Sequence, residues 1–148
     1  MKPLVVLLVT FTLVLLATKI LNHNWVFVFA GNAAMSIMLL FTAMGHFIYT
    51  KGMTMMMPKS LPYKKETVYL TGLIEIAAAI GLMIPSLRYI TSILLIIFFF
   101  VIIPANTKAA ITKVDYQKGT YEGNGLKYLW FRIPLQVFFI AWVWYFGL

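Results

Sequence analysis

The chain alternates five long apolar runs with short stretches that carry nearly all of its charge. The runs are Pro3–Ile20, Trp25–Tyr49, Thr67–Pro85, Tyr89–Thr107 and Tyr128–Gly147. A hydrocarbon core of about 30 Å takes roughly 20 helical residues to cross, and each run is of that order. A backbone in lipid has to bond within its own segment, so the runs predict helices. The expected fold is all-α: a polytopic transmembrane helical bundle, in one domain spanning 1–148. The first run has a rival reading, because Lys2 before an apolar stretch resembles a signal peptide. The segment that follows, "LLATKILNHN", is a poor cleavage site, so a retained helix is expected.

Composition sharpens this picture. Of 148 residues, 62% are hydrophobic and 11% charged, against about 25% charged in a soluble domain. So small a soluble fold could not bury that much apolar surface. The net charge of +8 comes from lysines placed between the runs, which suits a membrane surface. No basic groove with interleaved aromatics forms, so nucleic acid is not an expected partner. The chain has no cysteine, which excludes disulfides, thiolate metal sites and thiol redox chemistry within it. His23 and His46 lack metal-ligand spacing, and no metal is expected.

Charge also sets direction. With five crossings, Lys2, Lys51, Lys59, Lys64, Lys65, Lys108, Lys113, Lys118 and Lys127 fall on one side, and Lys19 and Arg88 on the other. The positive-inside rule makes the lysine-rich side cytoplasmic. The expectation is a multi-pass protein of the bacterial cytoplasmic (inner) membrane, N-terminus inside and C-terminus outside. Trp25, Tyr49, Tyr69, Tyr89, Tyr128, Trp130, Trp142, Trp144 and Tyr145 lie near run ends, at the headgroup level that suits them.

Two connections stand out. In "KGMTMMMPKSLPYKKE", Pro58 and Pro62 argue against one continuous helix. The expectation is a segment in the cytoplasmic interface, apolar side down, with an adaptable methionine gate as the sharper alternative. "VDYQKGTYEGNG" reads as a polar, glycine-rich cytoplasmic loop.

Within the runs, His46, Glu75, Asn106, Arg132 and Gln136 come from four different segments. A rise of about 1.5 Å per residue puts all five in the cytoplasmic half or at the midplane. Arg132 and Gln136 are i, i+4 and share a face. Gly72, Glu75 and Ala79 form a small and polar stripe, as do Asn32, Ser36, Ala43 and His46, and such stripes let helices approach closely. An ionised carboxylate at mid-membrane costs roughly 2.5–3.5 kcal/mol or more. Arg132 is the only arginine within a run, so Glu75 is expected to meet it directly or through Gln136 or water. Pro104 frees the Phe100 carbonyl and Pro134 the Trp130 carbonyl, and Asn106 could cap one of them. Two roles stay open for the cluster: a structural network that fixes helix register, or a ligand-binding or proton-relay site. His46 is correspondingly either a hydrogen-bonded interfacial histidine or a proton carrier.

The motifs "GHF" at Gly45–Phe47, "MMMPKSLP" at Met55–Pro62, "GLIEIAAAIGLMIP" at Gly72–Pro85, "PAN" at Pro104–Asn106 and "WFRIPLQ" at Trp130–Gln136 together resemble the DoxX-like membrane protein family. The resemblance runs from Trp25 to the C-terminus. It implies a four-helix DoxX-like core, to which the first helix is an extra N-terminal element. It also implies that His46, Glu75, Asn106, Arg132 and Gln136 occupy the family's polar positions. Some members are linked to quinone-dependent oxidation and others to oxidative-stress complexes. The expected function is binding of an apolar small molecule, a quinone or a lipid, at the polar cluster, within a membrane oxidoreductase system. The alternative is a structural or accessory subunit with no ligand of its own, which packs against a membrane or peripheral protein partner.

Overall fold

The structure is a computed structural model that describes residues 2–148. Its helices are α1 (Lys2–Asn22), α2 (Phe27–Ile48), α3 (Thr50–Met56), α4 (Lys64–Met83), α5 (Pro85–Val101), α6 (Ile103–Ile111) and α7 (Leu126–Gly147). All five apolar runs are helical. The fourth is broken at Ile102, with Pro104 in the first turn of α6, where a proline's missing N–H costs nothing. Pro85 likewise opens α5 rather than ending α4.

Four helices close a ring: α2 packs on α4, α4 on α5, α5 on α7, and α7 back on α2. The ring centre is apolar. Met35, Met38 and Leu39 of α2 meet Ala79 and Leu82 of α4, Leu95 and Phe99 of α5, and Leu135, Phe139 and Val143 of α7. Helix α1 lies outside this ring against α2. It inserts Leu7 into the core and sets Phe11 edge-on to Trp142, with ring centroids 5.0 Å apart. The expected four-helix core with an added N-terminal helix therefore describes the packing.

The outer faces are as apolar as the core. Leu13, Ile20, Leu70, Leu73, Ile80, Leu94 and Val137 are all exposed, where a soluble bundle would carry charge. Five helical stretches are long and apolar enough to cross a membrane: α1, α2, α4, the α5–α6 pair and α7. The protein is a membrane-type helical bundle.

Its two ends differ. At the lysine-rich end, α3 is a true helix, which the sequence reading did not anticipate. Met53, Met55 and Met56 turn toward Ala109 of α6 and Val114 and Tyr116 of the following loop, rather than down into lipid. The Lys108 ammonium donates to the Met57 carbonyl and ties α6 to the end of α3. The 112–125 loop is built, not open. Asp115 Oδ1 accepts from the backbone N–H of Gln117 at 3.1 Å and of Lys118 at 3.2 Å, an Asx turn that reverses the chain. Gly119, at φ +65°, completes that reversal. At the other end, Asn32 Nδ2 donates to the carbonyls of Val28 (2.8 Å) and Phe146 (2.7 Å). Trp142 Nε1 donates to the Gly31 carbonyl at 3.0 Å. These bonds fasten the start of α2 to the end of α7.

Candidate functional site: a buried acid–imidazole pair

Helices α2 and α4 touch most closely at Gly72. A Cβ added there would lie 2.9 Å from the Cβ of His46, so only a glycine lets the two backbones come this near. One helical turn further along α4 stands Glu75. The result is that His46 Nε2 lies 3.4 Å from Glu75 Oε1. This is the only ion pair among the described residues.

The other imidazole nitrogen is held as well. His46 Nδ1 is 3.1 Å from the Val68 carbonyl and 2.9 Å from Thr71 Oγ1. Thr71 Oγ1 itself donates to Val68 O at 2.8 Å. Nδ1 either donates to the Val68 carbonyl or accepts from the Thr71 hydroxyl, and the tautomer follows that choice. In both cases Nε2 faces the Glu75 carboxyl group, so the acid has a basic partner inside an apolar bundle, where an unpaired charge costs several kcal/mol.

The pair is enclosed but incomplete. The His46 and Glu75 side chains are 16% and 7% exposed. Glu75 Oε2 is buried and has no hydrogen-bond partner. Buried polar atoms are almost always satisfied, so an orphaned carboxyl oxygen marks a place where a partner is missing. On the membrane side of the pair, an apolar groove of about 470 Å³ runs between α1, α2 and α4, lined among others by Val6, Leu40, Ala43, Phe47 and Ile76. Ile76 follows Glu75 and Phe47 follows His46, so the groove borders the pair without opening onto the carboxyl group.

The remaining sequence candidates fall into a second group. Asn106 Nδ2 of α6 donates to Gln136 Oε1 of α7 at 2.9 Å. Gln136 Nε2 donates in turn to the Phe99 carbonyl at the end of α5. The helix break at Ile102 leaves that carbonyl open, and Gln136 closes it. Asn106 and Gln136 are both buried. The expectation had Asn106 capping Phe100 or Trp130. Instead Gln136 caps Phe99 and Asn106 supports Gln136, because the chain breaks before Pro104 rather than at it.

Arg132 does not meet Glu75, which corrects the expected pairing. It lies half-buried one turn from Gln136, with its guanidinium over the Tyr128 ring at 5.9 Å. The basic side chain that Glu75 does face is His46. Among the five candidates the structure therefore joins His46 to Glu75 and Asn106 to Gln136, and leaves Arg132 apart. Thr71 and the Val68 carbonyl are the additions that sequence reasoning missed. Thr71 is one turn before Glu75 on the same face, and that spacing was the available signal. No group of three or more His, Cys, Asp or Glu able to hold a metal ion occurs among the described residues.

A family model described as "Domain of unknown function (DUF8561)" matches residues 35–147. No curated protein and no solved structure matches the chain. The matched span runs from within α2 to the end of α7 and contains all five candidate residues, while α1 precedes it. With well over half of its length in that match, the chain belongs to the DUF8561 family.

Proposed function

We propose that this protein binds an apolar small molecule with a polar head, a quinone or a lipid, and that the His46–Glu75 pair is the polar anchor. The observation that carries this reading is the orphaned Glu75 Oε2, buried beside the Nε2 edge of His46. Such a group accepts a hydrogen bond from a ligand hydroxyl or, when protonated, donates one to a ligand carbonyl. With a quinone, the pair would pass on one of the two protons that reduction takes up, the two electrons coming from a separate redox donor, and such proton transfer needs hydrogen-bond reach. The apolar groove between α1, α2 and α4 offers a place for the apolar part of a ligand near the pair.

The DoxX-like resemblance belongs to the same proposal and is supported by the closed four-helix ring. So does placement in a bacterial inner membrane with the N-terminus inside. The lysines of α3, α6 and the 112–125 loop gather at one end of the bundle, and the positive-inside rule assigns that end to the cytoplasm.

A second reading rests on a different observation. The Asn106–Gln136–Phe99 network is closed on itself, as in an accessory subunit whose polar groups serve only its own packing. Native mass spectrometry of the purified chain, with organic extraction of bound molecules, separates the two. Ligand binding predicts a specific apolar molecule on the parent protein that is lost in folded Glu75→Gln and His46→Phe variants. An empty parent, with both variants destabilised, favours the accessory reading.

A further inference from the structure

Arg132 is a permanent cation inside a membrane-spanning helix, since a guanidinium is not deprotonated in proteins. The chain has four acids, Glu66, Glu75, Asp115 and Glu122, and none lies within ion-pair distance of it. Its position is not that of a side chain left on the surface. Trp130, Phe131 and Ile133 around it are exposed, whereas Arg132 is half-buried and continues the stripe of Leu135, Gln136 and Phe139. The Tyr128 ring, one turn nearer the helix start, lies under the guanidinium at 5.9 Å. The Tyr128 hydroxyl is buried without a partner. Two donors of phosphate-binding type thus share one face of α7, and no acceptor among the described residues satisfies either.

Depth identifies the acceptor. Arg132 is six residues past the first residue of α7, about 9 Å along the axis. That places it just inside the lysine-rich end of the bundle. From there an arginine side chain reaches the interface by extending along the helix. The anions a bilayer presents at that level are lipid phosphates. A planar guanidinium holds a phosphate through two parallel hydrogen bonds, and an aromatic face beneath it fixes the plane. Lys127 and Lys113 at the same end draw anionic lipid toward it.

We propose that Arg132 and Tyr128 form a binding site for the phosphate of an anionic phospholipid, distinct from the His46–Glu75 pair. The site does not depend on Glu75 binding anything. Lipid bound there would seat the α6–α7 end of the bundle at a fixed height in the cytoplasmic leaflet.

The test uses the full chain in nanodiscs of equimolar phosphatidylcholine and phosphatidylglycerol, with lipids that stay bound counted by native mass spectrometry. The parent is expected to retain phosphatidylglycerol in preference to phosphatidylcholine. Arg132→Gln should lower that preference roughly tenfold, the scale of one charge-assisted hydrogen-bonded contact. Arg132→Lys, which keeps charge without the fork, should fall between, and Lys127→Gln should stay near the parent. Tyr128→Phe keeps the ring and removes only an unpartnered hydroxyl. It should fold even if Arg132→Gln does not, and should still show a reduced preference. An unchanged preference in both Arg132→Lys and Tyr128→Phe overturns the site. So does a loss in Lys127→Gln as large as in Arg132→Gln, which would mean a diffuse basic surface. Displacement of the lipid by added inorganic phosphate alone would show a free-anion site and overturn the lipid assignment.

Discussion

His46 Nε2 stands 3.4 Å from Glu75 Oε1, while His46 Nδ1 is committed to Val68 O and Thr71 Oγ1. The imidazole is therefore fixed at both nitrogens, and its Nε2 edge points at the one acid buried in the bundle.

The stability of the pair follows from this arrangement. Glu75→Leu leaves Nε2 without a partner and should destabilise the protein by about 1–3 kcal/mol. Glu75→Lys sets a cation against an imidazole in a buried site and should cost more, about 3–5 kcal/mol. Replacing both partners, as in His46→Leu with Glu75→Leu, should cost less than the two single changes added together. Thermal unfolding in detergent measures all four proteins. Strict additivity of the two leucine substitutions would mean that the pair is not coupled.

Gly72 is what brings the two partners together. Gly72→Val adds a branched side chain where even a Cβ would sit 2.9 Å from His46 Cβ, with the Phe47 ring 3.3 Å away. The helices must part, and the acid–imidazole contact lengthens with them. The expected outcome is a folded but destabilised bundle, by about 1–3 kcal/mol. The His46 imidazole resonances should shift as they do in Glu75→Gln. Unperturbed resonances in folded Gly72→Val would detach the glycine from the site.

The five spans were legible because a membrane sets one length scale and the chain repeats it five times. The existence of a buried polar cluster was legible too, since Glu75 has few ways to survive in an apolar helix. Its partner was not. Arg132 looked stronger because its charge is permanent, but partner choice depends on helix rotation and on how near two backbones come. The close approach of α2 and α4 at Gly72 decides for His46, and it does not enter an argument based on charge and depth alone. That Pro104 would free a carbonyl was legible, but the break of the fourth run into α5 and α6 was not. Nor was the carbonyl it would open, because a proline can either kink a helix or begin a new one, and here it begins α6. The 112–125 loop showed its turn residues, Asp115 and Gly119, but not the packing of Tyr116 beneath α3.

Gln136 closes a carbonyl that no backbone N–H serves, so its removal should be felt more than that of a typical side chain. Gln136→Leu leaves Phe99 O and Asn106 Nδ2 both unsatisfied in a buried setting, and a cost of about 2–4 kcal/mol is expected from two such groups. Asn106→Leu removes only the support of Gln136, and about 1 kcal/mol is expected. Chemical or thermal unfolding of the single and double variants measures both. If Asn106→Leu proves the more damaging of the two, the order of support runs the other way.

The cap at the lysine-rich end depends on one glycine, and a second serves as its control. A Cβ on Gly52 would lie 1.8 Å from the Tyr116 carbonyl oxygen. That atom belongs to backbone, so it cannot swing aside as a side-chain tip would. A Cβ on Gly45, at the end of α2, would meet nothing nearer than the Met53 Cε at 3.5 Å, an ordinary contact. Both glycines are helical, so alanine favours each helix by up to about 1 kcal/mol, and only the steric surroundings differ. Gly45→Ala should therefore leave the protein unchanged or slightly more stable. Gly52→Ala should push the 112–125 loop away from α3 and expose Met56 and Val114. Hydrogen exchange would report this as lost protection at Val114 and Asp115, whose amides bond to Ala109 and Thr120. The α2–α4 core should keep its protection, because it does not rest on the cap. Equal protection of the loop in Gly52→Ala and the parent would show that α3 and the loop are not packed as described.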